Sequence, residues 1–356
     1  MNIENRPNSG APLPSDDAFT NSQLDLFQNF LCNTEPERDQ LSNTIDLWDS
    51  VPRFSISRQA MIKLRSGKGF LDLLELTFNY RGASLKAIIQ PARIREEDGT
   101  TQDYYPSANE ELVEDALRKI AADQNHGYFD RINYRSGVVF SLYMLREELK
   151  RRGHARSYQE ITKSLRILSG SLIEIRSDDG SAMEGFTRTN YLPSLTAVSR
   201  KKLRDDPKAK WSAQFHPLVT QSIDALTYRQ FNYHQMMAHS TQITRWLHKQ
   251  LCLKFTFASM LTQFEMRYST VKRDSALLNY ARERDCIDAL DKAFKELQEQ
   301  GVLHGFQKQN ISGLRGKIED VNYILMPTIE FVKEMKAANK RYALAVEKSG
   351  KVIDIR

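Results

Sequence analysis

No apolar run in this chain approaches the roughly 20 residues that a membrane helix needs. The most continuous ones, GVVFSLYML (137–145) and LCLKFTFASML (251–261), are core-sized. The start, MNIENRPNSG, has neither a basic nor an apolar stretch, so no signal peptide is expected. Cysteine is scarce: Cys32, Cys252 and Cys286 are odd in number and far apart. That speaks against a disulfide framework and for reduced thiols in a cytoplasmic protein. Enzyme signatures are missing as well. The histidines at 126, 154, 216, 234, 239, 248 and 304 form no His-x-His pair, which argues against a metal-dependent tyrosine nickase. Neither Ser66-Gly67-Lys68-Gly69 nor Gly313-Leu314-Arg315-Gly316-Lys317 meets the phosphate-loop pattern G-x-x-x-x-G-K-[ST]. No C-x-x-C, H-E-x-x-H or G-x-S-x-G occurs. The expectation is a protein that is not an enzyme and uses no metal or cofactor.

What is present is charge, unevenly spread. The 356 residues carry a net charge of +6, with 27% charged and 40% hydrophobic residues, enough apolar material for about two domains plus tails. Residues 1–50 hold nine Asp/Glu against Arg6 and Arg38, a net −7, so residues 51–356 carry +13. A basic body behind an acidic leader fits a polyanion partner, although a mildly basic soluble surface has the same composition. Residues 1–43, rich in Asn, Ser, Pro, Asp and Glu, read as a disordered leader.

From residue 44 the pattern is α+β. Segment 69–94 reads as strands joined by an Arg81-Gly82 turn, 107–124 as a helix capped by Ser107 or Asn109, and 136–153 as a second helix stopped by Gly153. A third, 157–170, has Ser157 as N-cap and Glu160 in the capping-box position. Residues 171–198 read as two strands around Asp178-Asp179-Gly180-Ser181. A polar connector, 199–210, separates a first domain (44–200) from a second (208–340). The second reads as a helix over 234–255, a shorter one over FASMLTQFEMRY, a long amphipathic helix over 284–301, a strand pair over 302–327, and a terminal helix to about 340 before a flexible tail, 341–356. Segments 162–169 and 291–298 align position by position, Lys163 on Lys292, Leu165 on Phe294, Arg166 on Lys295 and Leu168 on Leu297. In both copies a glycine (Gly170, Gly301), a strand, a polar turn and a second strand follow. Helix, helix, helix, strand, turn, strand, twice, is the layout of tandem winged-helix domains, helix-turn-helix units with a β-hairpin wing.

A recognition helix needs one apolar face for its own domain and one polar, cationic face for a DNA groove. In 157–169 the first is Tyr158, Ile161, Leu165 and Leu168. The second is Gln159, Thr162, Lys163 and Arg166, types that suit base edges and phosphates. Arg156 precedes the helix, and Arg176 and Arg188 lie on the hairpin after it. Residues 131–166 hold nine cations against three acids, which also fits a merely solvated basic helix pair. In the second copy Asp285, Asp288 and Asp291 crowd the helix start and oppose phosphate. Its DNA contacts are therefore expected from Lys272, Arg273, Asn279, Arg282 and Arg284, with Lys308, Arg315 and Lys317 on the wing. Trp246 reads as a core residue.

Five segments carry a family likeness: NTIDLWDSVPRF (43–54), PARIREEDG (91–99), RSYQEITKSLRILSGSLIEI (156–175), HPLVTQSIDALTYRQFNYHQMM (216–237) and ALDKAFKELQEQGVL (289–303). Over about 44–335 the chain resembles the RepA-type replication initiators of theta-replicating bacterial plasmids. The resemblance implies binding to directly repeated origin sequences (iterons), origin melting, recruitment of the host initiator and replicative helicase, plasmid copy control, and a monomer–dimer switch in which homodimers often repress the protein's own gene. A transcriptional repressor of similar build remains the alternative, and a nickase or primase the more distant one. In this context Gln23-Leu24-Asp25-Leu26-Phe27 looks like the pentapeptide with which bacterial replication proteins dock on the sliding clamp. The same residues also fit a short amphipathic helix with Leu24, Phe27 and Leu31 on one face.

Overall fold

A computed structural model of the chain describes residues 39–122, 126–130, 132–178, 187–197, 209–313 and 318–349. The pentamer 23–27, the turn around 179–181, most of the connector 199–210, and Arg315 and Lys317 lie outside the described residues. The architecture is mixed α+β with several small antiparallel sheets.

The first half opens with strand β1 (Leu41–Ile45) and a short helix α1 (Asp46–Ser50). Strand β1 thus begins inside the stretch expected as leader, because its backbone pairs with β12 (Tyr228–Asn232) of the second half, Leu41 opposite Asn232 and Ile45 opposite Tyr228. Helix α2 (Arg58–Lys68) follows, capped by the Ser57 hydroxyl. Strands β2 (Leu74–Tyr80) and β3 (Ala83–Gln90) meet at Arg81-Gly82, both left-handed with φ of 48° and 82°. Two consecutive positive φ angles match the twist of a tight hairpin, which is why glycine sits there. Strands β4 (Ala92–Arg95) and β5 (Thr101–Tyr104) form a second hairpin. Then come helix α3 (Ala108–Ala122), strands β6 (Gly127–Asp130) and β7 (Arg135–Ser141), helices α4 (Leu142–Arg151) and α5 (Tyr158–Gly170), and strands β8 (Leu172–Ser177), β9 (Thr187–Asn190) and β10 (Leu195–Ala197).

The segment 136–153, expected as one helix, is divided: 136–141 belongs to β7 and the helix begins at Leu142. Val138, Val139 and Phe140 favour a pleated strand, and the Ser141 hydroxyl accepts from the Met144 amide to start α4. Gly137 is required by packing. A Cβ there would stand 2.3 Å from the Ala213 carbonyl oxygen of the paired strand.

The second half comprises β11 (Lys210–Gln214), α6 (Pro217–Ala225), β12, α7 (Tyr233–Ala238), α8 (Gln242–Lys254), β13 (Phe264–Arg267), α9 (Tyr268–Ser275), α10 (Glu283–Glu299), β14 (Leu303–Ser312), β15 (Ile318–Pro327) and α11 (Ile329–Ser349). Two expectations need correction. The helix over 234–255 breaks at His239, where the backbone is extended, and Thr241 caps a new one. FASMLTQFEMRY is not a helix: Ser259 and Thr262 close a turn by hydrogen bonds, and β13 follows it. Helix α11 also runs to Ser349, past the expected end at 340, because Ala345 buries against Leu226.

The order helix, strand, helix, helix, strand, strand occurs in the second half as α8-β13-α9-α10-β14-β15, and in the first half with one extra strand, β6, as α3-β6-β7-α4-α5-β8-β9. In the second copy the strands form one sheet, ordered β13-β15-β14. In the first, β8 and β9 extend the β2-β3 hairpin, in the order β2-β3-β8-β9, while β7 joins β10-β11-β7-β6. Ile161, Leu165 and Leu168 of α5, and Leu290, Phe294 and Leu297 of α10, are all buried. Burying each is worth about 1.5–3 kcal/mol, so both helices are fixed by the same apolar register.

The halves meet through buried charge. Trp48 stacks on His216 at 4.2 Å and donates to Glu114 at 2.5 Å. Around it Arg53 pairs with Glu114 (3.2 Å), Arg118 with Asp49 (2.7 Å) and Asp115 (2.5 Å), and Lys249 of α8 with Asp115 (2.6 Å). Arg245 adds a 3.5 Å contact to Glu111. Burial alone would raise the Asp49 pKa, but Arg118, then Lys249 and Arg53, hold its carboxyl well below the usual carboxylate range.

Candidate nucleic-acid interface

Helix α5 is built to be rigid. The Ser157 hydroxyl accepts from the Glu160 amide (3.2 Å) while the Glu160 carboxylate accepts from the Ser157 amide (2.8 Å), the reciprocal capping box expected from the sequence. Those bonds hold the Glu160 pKa below the ordinary glutamate value. With Ile161, Leu165 and Leu168 turned inward, the opposite side presents Gln159 and Arg166 exposed and Thr162 and Lys163 half-buried. Arg166 donates to the Arg95 carbonyl at 3.3 Å, and no carboxylate pairs with it among the described residues. Lys163 bonds Glu96 (2.8 Å) and the Tyr104 hydroxyl (3.2 Å). Burial works against its charge, and those two bonds outweigh it, so its pKa stands above the ordinary lysine value. Arg156 is drawn onto Asn109, whose side-chain oxygen accepts from Nη2 at 2.9 Å.

Arg176 and Arg188 leave the sheet after α5 as exposed side chains, flanking Glu174 at 3.6 and 3.7 Å. In the second half Lys272 pairs with Glu283 (2.6 Å), and Arg273 with Asp274 (2.7 Å). Asp274 also accepts from the Asn79 amide of β2 at 2.9 Å, so Arg273 is committed to the contact between halves. Asn279 closes its own turn on the Ala276 carbonyl (2.6 Å) and is exposed, as are Arg282 and Arg284, the latter 3.8 Å from Asp288. Lys308 on β14 reaches Asp291 of α10 at 2.8 Å. The structure thus gathers Gln159, Thr162, Lys163 and Arg166 on one helix face. It groups Lys272, Arg273, Asn279, Arg282 and Arg284 from α9 through the start of α10, most of them held by local acids.

Four cations were not singled out by the sequence reading. Lys292 and Lys295 are exposed on α10, where they occupy the positions of Lys163 and Arg166. The alignment of the two helices is the signal that finds them, and the neighbouring aspartates mask it. Arg93 and Arg95 are exposed on β4, which packs against α5. The alternation Ala92-in, Arg93-out, Ile94-in, Arg95-out is the signal that finds them. Among the described residues no His, Cys, Asp and Glu group is arranged to hold a metal ion, and no helix is long and apolar enough to cross a membrane.

No family model and no curated protein matches the chain. It is similar to solved structures. A crystal structure of domains 2 and 3 of RctB, as a selenomethionine derivative, matches with a TM-score of 0.46 at 12% identity, over 73% of this chain and 92% of that one. A second structure of RctB domains 2–3 matches with a TM-score of 0.43 at 12% identity, over 75% and 95%. A crystal structure of Pi initiator protein in complex with iteron DNA matches with a TM-score of 0.42 at 13% identity, over 67% and 98%.

Proposed function

We propose that the chain is a replication initiator of the iteron-binding type, a non-enzymatic protein that binds repeated origin DNA through two winged-helix units. The observation that carries this reading is the exposed face of α5. A capped helix, anchored by three buried apolar residues and followed by a β-hairpin, presents Gln159, Lys163 and Arg166 outward. Arg and Lys suit guanine edges and phosphates, and Gln suits adenine. The repeated order of elements gives a second unit with α10 in the same position. Two linked units can read successive major-groove faces, and the linkage raises affinity above that of either alone.

In this reading the protein helps to open the origin and recruits the host initiator and replicative helicase, and a homodimeric form represses the protein's own gene. Gln23-Leu24-Asp25-Leu26-Phe27 docks on the sliding clamp, Leu26 and Phe27 filling an apolar pocket. The site of action is the cytoplasm, on plasmid DNA. A plasmid-maintenance assay tests the function: a plasmid carrying only the gene and its flanking DNA replicates with the intact protein. DNA binding without maintenance supports a repressor instead. Leu26→Ala with Phe27→Ala abolishes clamp pull-down and leaves repeat binding intact. Equal capture of the clamp by both forms removes the docking claim.

A further inference from the structure

Beside the exposed face of α5 lies an open groove of about 720 Å³ between α2 and α5, floored by Tyr104 of β5. Three cations converge on that tyrosine. The Arg58 and Arg65 guanidinium carbons stand 4.8 Å from the ring centroid and the Lys163 ammonium 4.4 Å from it. Ser66 and Asn109 also line the groove.

Acids are present, but they stand behind the cations or are engaged. Glu110, fully buried, accepts from Arg58 (2.6 Å) and from the Ser164 hydroxyl (2.7 Å). Glu96 accepts from Lys163 and from the Tyr104 hydroxyl (2.6 Å), and it does not line the groove. Glu160 lines it, with its carboxylate taken up by the capping box. Besides its contact with the Tyr104 ring, Arg65 donates to the Asp103 carbonyl, and no carboxylate pairs with it among the described residues. The groove therefore turns unspent cationic N–H groups outward, with hydroxyl and amide groups between them.

We propose that this groove binds the phosphate backbone of the DNA whose bases α5 reads, with Arg65 as its principal phosphate ligand. Lys163 belongs both to the exposed face of α5 and to the groove, so the two surfaces are continuous. The Tyr104 ring is already occupied by cations, which leaves no free aromatic face for base stacking. What remains is recognition of phosphate, which carries no sequence information but fixes register and affinity. The inference rests on the DNA-binding reading of α5.

The test is a salt titration of binding to a tandem-repeat duplex and to a scrambled duplex, with the full chain, Arg65→Ala, Arg65→Gln, Arg65→Lys and Arg166→Ala. Arg65→Gln keeps a donor for the Asp103 carbonyl and guards against a folding defect. The expected result is that Arg65→Ala and Arg65→Gln weaken binding to both duplexes by the same several-fold factor. Each also lowers the slope of log K against log salt by about 0.9, the release expected for one phosphate contact. Arg65→Lys stays close to the wild type, and Arg166→Ala loses preference for the repeat. An unchanged slope in Arg65→Gln, or a loss confined to the repeat duplex, overturns the groove and leaves the reading of α5 standing. A wild-type chain without salt-dependent DNA binding overturns both.

Discussion

Helices α5 and α10 hold the same place in the repeated order and bury the same apolar register, yet their polar ends differ. Helix α5 begins with a reciprocal capping box and offers Gln159, Lys163 and Arg166. Helix α10 has Arg282 at its N-cap position and no side-chain cap, and Glu283, Asp285 and Asp288 line its first turns. The sheets differ the other way. The second copy keeps its three strands together, whereas the first trades β7 away and gains β2 and β3. The copy with the more regular sheet has the less cationic helix, so the fold is held by the apolar register, and the outward face is free to diverge.

The largest expected effect comes from parting the two copies. Lys249→Ala removes one of the two cationic partners of Asp115 and leaves it Arg118, which also serves Asp49, so the buried cluster is one cation short. A cost of about 3–5 kcal/mol is expected, measured as the shift in the urea unfolding midpoint.

A second effect is centred on a buried histidine pair in the second half. The His239 Nε2 and His248 Nδ1 atoms lie 2.9 Å apart and buried. Burial pushes the His239 pKa down to about 4, with Glu296 opposing and Arg245 adding to the shift. Burial, then His239 and Lys249, holds His248 well below its ordinary value. Unfolded histidine titrates near 6.5, so below that pH the unfolded chain takes up protons that the folded chain refuses. Stability is therefore complete above about pH 6.5 and falls as the pH drops toward 5. The slope is up to about 1.4 kcal/mol per unit for each histidine. Unfolding free energy measured from pH 8 to 5 shows this, and a flat profile contradicts it.

On DNA, Arg166→Ala in the first copy is expected to cost about 1–3 kcal/mol of discrimination between repeat and scrambled duplex, if its contact is bidentate to a base. In the second copy, Asp285→Asn with Asp288→Asn removes charge that repels phosphate. Binding then strengthens a few-fold, measured by fluorescence anisotropy, and unchanged affinity places α10 off the DNA. The smallest effects come from the caps. Ser157→Ala costs about 1 kcal/mol of stability, while Arg282→Ser, which supplies a cap, adds a few tenths to about 1 kcal/mol and weakens DNA binding. Thermal melting and anisotropy on the same two variants read both signs.

Much of this comparison was legible in the sequence. The capping box at Ser157 and Glu160 depends on local chemistry alone, as does the Arg81-Gly82 turn, so both were visible. The alignment of Leu165 with Phe294 and Leu168 with Leu297 matched the buried faces because 3.6-residue periodicity survives any tertiary context. The strand at 136–141 was missed because a short apolar run does not declare its period; pairing with β11 decided it. The buried charge between the halves was illegible for another reason. Glu110, Glu111, Glu114 and Asp115 crowd the first turns of one helix, and besides Arg118 on the same helix their partners Arg58, Arg53, Arg245 and Lys249 come from segments far away in sequence. The groove around Tyr104 was invisible for the same reason, since its cations come from α2 and α5, far apart in sequence.

Footprinting on the DNA flanking the protein's own gene tests the central claim most directly. Ordered protection of tandem repeats, with the repeat-to-repeat pattern lost in Arg166→Ala, is the predicted result. Uniform coverage with no preference for repeated DNA, unchanged by Arg166→Ala, contradicts it.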